Sequence, residues 1–419
     1  MDLKSALQAK LASRQHNDGK VDQHAAAKAG KPEQKYPVNL YAVGRGVYGR
    51  LAQGDEQSHS RFVKGFASQP NVEFGQLACG AGHVLVITAV SANLTEETEE
   101  GAEDKGAKLQ QEEGLLYSWG KCHFGQLGLG QEDEDRHLPT PVIVRDSAGH
   151  TVRFKQVACG DSFSLAISEH GELYSWGCGY YGPLGHGEQT SYSQPKLVEA
   201  LCGKTVVAVT GGAFHTIALL ADGTVYAFGR NERGQLGLGD TLNRNVPTPV
   251  PDLRNVAAVA AGHAHSLCVT TNGKVYAWGS NEYHQLGLSD QEQDVLIPVE
   301  VPLPADARFV NCKAGKIFSL LLDDDGGVYS TGYLHNFAKE PHTKKIVAIA
   351  CGETHKMAIS EKGSLYTWGD ASFGKLGRTI GSSADSLQHG RVNDLHKQGV
   401  RVVAVAGGAN HTLCLVAPS

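Results

Sequence analysis

The chain has 419 residues, a formal net charge of −6, 51 glycines and nine cysteines. No apolar run approaches the ~18 residues of a membrane span, and no basic field of the kind nucleic-acid binding needs is present. At about 150 residues per domain the length suggests two or three domains, but one repeated unit takes up nearly the whole chain.

Residues 1–36 read as a separate arm, with seven basic residues against four acidic ones up to Lys35. Leu3, Leu7 and Leu11 recur at i, i+4 and i+8, which predicts an amphipathic helix over 2–15 with a narrow apolar stripe. Asp18-Gly19 stops it. The stripe is a candidate element for docking in a partner's groove or on the rest of the chain. The arm has no apolar signal core, Asp2 argues against a transit peptide, and the charge is too mild for a nuclear-import or DNA-binding tail.

From residue 37 the apolar pattern is period-2 runs broken by glycine, which reads as strands rather than helices. Tyr-x-x-Gly appears first as YAVG at Tyr41 and returns at Tyr117, Tyr174, Tyr226, Tyr276, Tyr329 and Tyr366. Gly44 to Gly54 is a degenerate copy of a loop that recurs as FGQLGLG (124–130), YGPLGHG (181–187) and RGQLGLG (233–239). Its spacing predicts backbone turns with a leucine held between sheets.

A second signature, Gly-x-x-His or Gly-x-x-Phe, ends at His83, Phe163, His215, His265, Phe318, His355 and His411. Between Ile87 and Leu115 a hairpin turn is enlarged by Ser91 to Gly114, which holds eight acids against Lys105 and Lys108 and sums to −6. Low hydropathy and high charge predict local disorder there. Closure cost grows only logarithmically with loop length, so the fold would tolerate the insertion.

Val259 to Leu288 shows the unit most plainly as strand, turn, strand, tight turn, strand and loop. Thr271-Asn272-Gly273 joins two of the strands, and Asn-Gly between such runs predicts a type I′ hairpin with both central residues at positive φ. The Tyr-x-x-Gly spacings from Gly120 to Gly369 are 57, 52, 50, 53 and 37 residues. The short unit, Gly332 to Gly369, lacks the GQLGLG loop and has YLHNFAKEPHT instead.

Both signatures occur seven times and are offset: the chain begins with a third strand lacking its hairpin and ends with a hairpin lacking its third strand. Four-stranded blades cannot bury both faces alone, and a ring of them leaves only short edges. The expectation is an all-β, seven-bladed β-propeller over 37–419. Leu40 to Gly44 would join Arg401 to Val416 in one closing blade, with the acidic insertion at 91–114.

Histidines occupy five of the seven turn slots, but one ligand per blade spreads them around a ring, whereas zinc needs its ligands about one point. Phe163 and Phe318 fill the same slot, so these histidines are expected buried and bonded to turn backbone. No metal site or cofactor is expected. No nucleophile elbow, zinc-protease, Walker or dinucleotide motif is present, and Asp323-Asp324-Asp325-Gly326 lacks EF-hand spacing. Cys79, Cys159 and Cys351 share one strand slot and Cys268 and Cys414 another, which reads as reduced, buried thiols in a reducing compartment.

V-x-x-V-A-x-G-x-x-H-[ST]-L, then D/N-G-x-V-Y-x-W-G, then G-Q-L-G-L-G resembles the regulator of chromosome condensation repeat from Tyr41 to Val416. The resemblance implies the same seven-bladed ring. It says less about activity, because family members include exchange factors, a photoreceptor and adaptors. The Ran exchange factor carries a wedge hairpin after one Trp-Gly strand and acids just after the turn glycine. Here the corresponding loops have ordinary length. That turn slot holds Ala81, Asp161, Ala213, His263, Lys316, Glu353 and Ala409, of which Asp161 and Glu353 match the acidic pattern. The plant UV-B photoreceptor needs a tryptophan cluster on one face; Trp119, Trp176, Trp278 and Trp368 all sit in the strand slot, so that activity is not expected.

The leading expectation is a non-enzymatic scaffold or adaptor that presents a ring face, with Asp161, His263, Lys316 and Glu353, to partner proteins in a larger assembly. The arm and the acidic insertion would add contacts. The alternative is a guanine-nucleotide exchange factor for a small Ras-like GTPase, using the same four residues. A cytoplasmic location is expected, with the cytoskeleton of a cilium or flagellum, in an axonemal assembly, as the alternative. Neither membrane nor nucleic acid is expected as a partner.

Overall fold

The computed structural model describes residues 39–65, 74–89, 114–131, 133–288, 293–333, 335–341 and 344–418. Leu3, Leu7 and Leu11, and nearly all of the acidic insertion, lie outside them. Seven four-stranded antiparallel sheets follow one another as the blades of a propeller. Blades 1 to 6 run in chain order from the inner strands Phe74–Cys79, Phe154–Cys159, Val206–Gly211, Val256–Ala261, Phe309–Ala314 and Ile346–Cys351.

Blade 7 is built from both ends of the described chain. Asn39–Gly44 lies between His59–Lys64 and His411–Pro418, and Val400–Gly407 is innermost. Asn39 pairs with Val416, Tyr41 with Cys414 and Gly44 with His411.

Each strand position has its own chemistry. The inner strands are rich in Val and Ala and carry a register shift at their second residue, as between Val256 and Ala258. The second strands, such as His265–Thr270, are buried along their whole length, because neighbouring blades cover both faces and leave no side for water. The outermost strands are edges that another chain could extend, and Pro139, Pro141, Pro195, Pro247, Pro249 and Pro298 remove donors from them.

Thr271-Asn272-Gly273 does form a hairpin, but not the type I′ turn expected. Gly273 alone has positive φ, at 84°, and its amide donates to Thr270 carbonyl at 2.8 Å. Three connecting residues with one left-handed glycine make the longer of the two common hairpin solutions.

Neighbouring blades are joined by buried polar relays. His83 Nε2 lies 3.0 Å from Ser164 Oγ in the next blade, and that hydroxyl donates to Gln126 carbonyl in the loop of the first. His215–Ser266–Gln235, His265–Ser319–Gln285 and His355–Thr412–Lys375 repeat the arrangement. The hydroxyl proton is committed to the carbonyl, so the histidine must donate from Nε2. The five slot histidines are buried as expected, but these four bond to a hydroxyl of the next blade where turn backbone was the expected partner.

The recurring loop supplies the other half of most junctions. Trp119, Trp176 and Trp278 donate from Nε1 to the carbonyls of Arg50, Gln126 and Gln235. Leu51, Leu127, Leu184, Leu236, Leu286 and Leu376 are buried as well, Leu51 in one core cluster with Trp119 and Leu236 in another with Trp278. A buried tryptophan removes ~200 Å² from water, roughly 5 kcal/mol at 25 cal/mol per Å². Gly237, at φ 72°, keeps the loop close: a Cβ there would lie 2.9 Å from Trp278 Nε1.

Three junctions depart from the pattern. Between blades 2 and 3 the slot residue is Phe163, and the Thr216 hydroxyl donates to Pro183 carbonyl at 2.7 Å without a histidine partner. After blade 5 the recurring loop is missing, and the chain turns at Tyr333 directly into the outer strand His335–Lys339. The slot residue there is Phe318, Lys356 Nζ stands 5.1 Å over its ring, and Glu340 replaces the loop carbonyl. Glu340 Oε1 accepts from Ser330 Oγ at 2.6 Å and Trp368 Nε1 at 3.3 Å, with Lys356 Nζ at 3.9 Å. Between blades 7 and 1, the strand position that carries the hydroxyl in the relays is Val84, and neither ring nitrogen of His411 has a hydrogen-bond partner.

Candidate partner-binding face

Inner strands all run in one sense, so the seven Gly-x-x-His/Phe turns and the loops after the third strands come out at the same end of the ring. The turn glycine has no room for a side chain: a Cβ on Gly262 would lie 2.1 Å from the His265 ring and 2.5 Å from Gly315 carbonyl. This close approach lets successive turns bond to one another. Ala81 amide donates to Asp161 carbonyl (3.1 Å), His263 to Gly315 (3.3 Å), Lys316 to Glu353 (2.7 Å) and Glu353 to Gly408 (3.1 Å).

The residue after each turn glycine therefore stands at the mouth of a central channel of about 620 Å³. Asp161, His263, Lys316 and Glu353, from blades 2, 4, 5 and 6, are brought together there; three alanines complete the ring of seven. Lys316 Nζ lies 2.9 Å from Glu353 Oε1, and this bond raises the lysine pKa. Burial, reinforced by Glu353 and opposed by Lys316, pushes the Asp161 carboxyl up to about 6. Burial and then Lys316 lower the His263 pKa.

A carboxyl raised in the folded state adds stability below its unfolded value near 3.9 and loses it as pH rises through about 6. Asp161→Asn is therefore expected to stabilise the fold at pH 7.5, on the order of 1 kcal/mol after allowing for solvent screening. The gain should be smaller at pH 5.5. Urea midpoints at the two pH values check this, and an equal or inverted gain contradicts it.

Aromatic side chains surround this mouth, and sequence reading did not single them out. Tyr180, Tyr283, Tyr333 and Phe373 are 39–55% exposed, and every exposed large aromatic among the described residues is on this end. Cations stack on them or their neighbours. Arg45 lies 5.0 Å over Phe373, Arg230 5.0 Å over Tyr181, and Arg50 and Lys121 5.1 and 5.3 Å from the Tyr48 ring. Tyr48, Tyr181 and Phe373 also hold left-handed φ of 68°, 70° and 60°, a strained state that clusters at functional sites. The signal in the sequence was the residue before the loop glycine, aromatic at Tyr48, Phe124, Tyr181 and Phe373.

Arginine, tyrosine and phenylalanine around a polar centre are the side chains enriched where proteins bind proteins. Among the described residues no group of His, Cys, Asp or Glu gathers as a metal site, and no helix is long and apolar enough to cross a membrane. All nine cysteines are free thiols. The four tryptophans are buried between blades, not displayed on a face.

Residues 104–338 match the RCC1-like domain, and residues 346–375 and 362–415 match the regulator of chromosome condensation (RCC1) repeat. The chain is 31% identical over 360 residues to the ultraviolet-B receptor UVR8 of Arabidopsis thaliana, covering 82% of this chain and 74% of the receptor. It is 35% identical over 394 residues to the E3 ubiquitin-protein ligase HERC2 of Homo sapiens, covering 89% of this chain but only 6% of the ligase. Prp20p of Saccharomyces cerevisiae, described with its binding to Gsp1p and histones, has the same fold: TM-score 0.75, 23% identity, 92% of each chain covered. This chain belongs to the RCC1-like family of seven-bladed propellers.

Proposed function

We propose that this propeller is a non-enzymatic protein-interaction module that docks partners on the end carrying the channel mouth. The observation that carries the reading is the concentration there of all exposed aromatics of the described residues around Asp161, His263, Lys316 and Glu353. The arm at 1–36, with Leu3, Leu7 and Leu11, and the insertion at 91–114 would extend the contact. Nine free thiols support a cytoplasmic setting, with a ciliary or flagellar assembly as the alternative.

Affinity purification with quantitative mass spectrometry tests this. The double variant Tyr283→Ala/Phe373→Ala is expected to lose partners at least tenfold, since such anchors dominate interface energies. Val310→Ala/Val347→Ala, at the opposite end, should retain them. Equal recovery in both variants would sink the reading.

The second reading, exchange on a Ras-like GTPase, draws on Asp161 and Glu353 in the turn slot. Labelled-nucleotide release from a GTPase panel separates the two. Stimulated release that is lost in Asp161→Ala would replace the scaffold reading.

A further inference from the structure

The channel wall is nearly uniform. At one inner-strand register six blades place Ala78, Ala158, Thr210, Ala260, Ala350 and Ala406, all lining the cavity. Blade 5 departs from this with Lys313. Two residues earlier on the same strand, and so on the same face, stands Asn311. The other two amides at Asn311's register are used to join blades: Gln76 Oε1 accepts from Val157 amide at 2.8 Å, and Gln156 Nε2 donates to Val209 carbonyl at 3.5 Å.

Asn311 and Lys313 make no such bond. Among the described residues neither side chain has a hydrogen-bond or ion-pair partner, and both line the channel. The adjoining walls are Ala258 and Ala260 on one side and Ala348 and Ala350 on the other. These methyl groups offer a donor pair no competing acceptor and leave the channel open. Lys316 continues the line to the mouth, but its ammonium is held by Glu353. Blade 5 is also the blade that lacks its loop, so the ring has less cover beside Tyr333.

We propose that the central channel receives an acidic segment of a partner polypeptide, whose carboxylate pairs with Lys313 and is oriented by the Asn311 amide. The proposal rests on the interaction reading above and names the chemistry of the partner. A cavity of about 620 Å³ is within the ~300–1,000 Å³ range of specific sites. It is large enough for a few side chains, not for a folded domain. Bulk attraction by net charge does not account for such a site, since the chain as a whole is acidic at −6.

The test is fluorescence anisotropy of a labelled hexaglutamate peptide with the full-length protein at low salt, with hexaglutamine as control. Lys313→Ala restores the residue found in most other blades and is expected to fold as wild type, which a thermal melt checks. It should weaken hexaglutamate binding about tenfold, the size of one partly desolvated charge contact. Lys345→Ala, at the far end of the ring, should leave it unchanged. Absence of hexaglutamate binding to wild type, unchanged binding by Lys313→Ala, or an equal loss in Lys345→Ala would each overturn the proposal. So would displacement by acetate at the same carboxylate concentration, which would make this a small-anion site. No cellular partner enters the assay, so its failure is distinct from failure of the aromatic-face variants.

Discussion

The fold is expected to be lost cooperatively as the pH is lowered from 6.5 to about 5. His83, His215, His265 and His355 are buried, and burial lowers each pKa to about 3. His411 is pushed well below its ordinary value by burial and then by Arg50. The direction follows from proton counting. Below pH 6.5 the unfolded chain protonates these rings while the folded chain does not, so stability falls as pH falls. At pH 5 each ring costs about 2 kcal/mol, and five together cost about 10 kcal/mol. That equals the whole stability of an ordinary domain, ~5–15 kcal/mol.

Far-ultraviolet circular dichroism and urea midpoints between pH 7.5 and 4.5 measure the effect. His411→Phe provides the internal control, because Phe163 and Phe318 already occupy this slot against equally close glycines. Removing an imidazole with no partner on either nitrogen should stabilise by about 1–2 kcal/mol at pH 7.5, and by more at pH 5.5. A protein with the same urea midpoint at pH 7.5 and 4.5 would mean that these rings carry charge inside the ring of blades, contrary to the relays described.

Glu340→Ala is expected to destabilise by about 3 kcal/mol. Glu340 Oε1 is the acceptor shared by Ser330, Trp368 and Lys356 where the loop is missing. The Glu340 and Lys356 side chains are only 16% and 12% exposed, and burial already lowers the Lys356 pKa. Removing the carboxylate strands a cation between blades, and breaking such pairs costs ~3–5 kcal/mol when fully buried. Glu340→Gln keeps an acceptor but drops the charge, so it should fall between wild type and Ala. A urea midpoint for Glu340→Ala within error of wild type would show that water enters this junction and solvates Lys356.

Much of this architecture was legible because its signals are local. Tyr-x-x-Gly and Gly-x-x-His specify strand ends and turns within a few residues, and their sevenfold recurrence sets the number of blades. The same reading missed the Asn272-Gly273 turn type, since a two-residue and a three-residue connection look alike until the register is known. It also expected the slot histidines to bond to turn backbone, whereas four of them bond to hydroxyls 51–81 residues away.

The repeat count and the family were thus determined by sequence alone, through interactions that close within a single blade. The tertiary structure decided everything that lies between blades. It seated Glu340 in the place of a missing loop, left His411 without a partner, put Lys313 on an alanine wall and turned the exposed aromatics to one end. These pairings join residues far apart in the chain, and what decides them is the angle and spacing at which one blade meets the next, which no local pattern records.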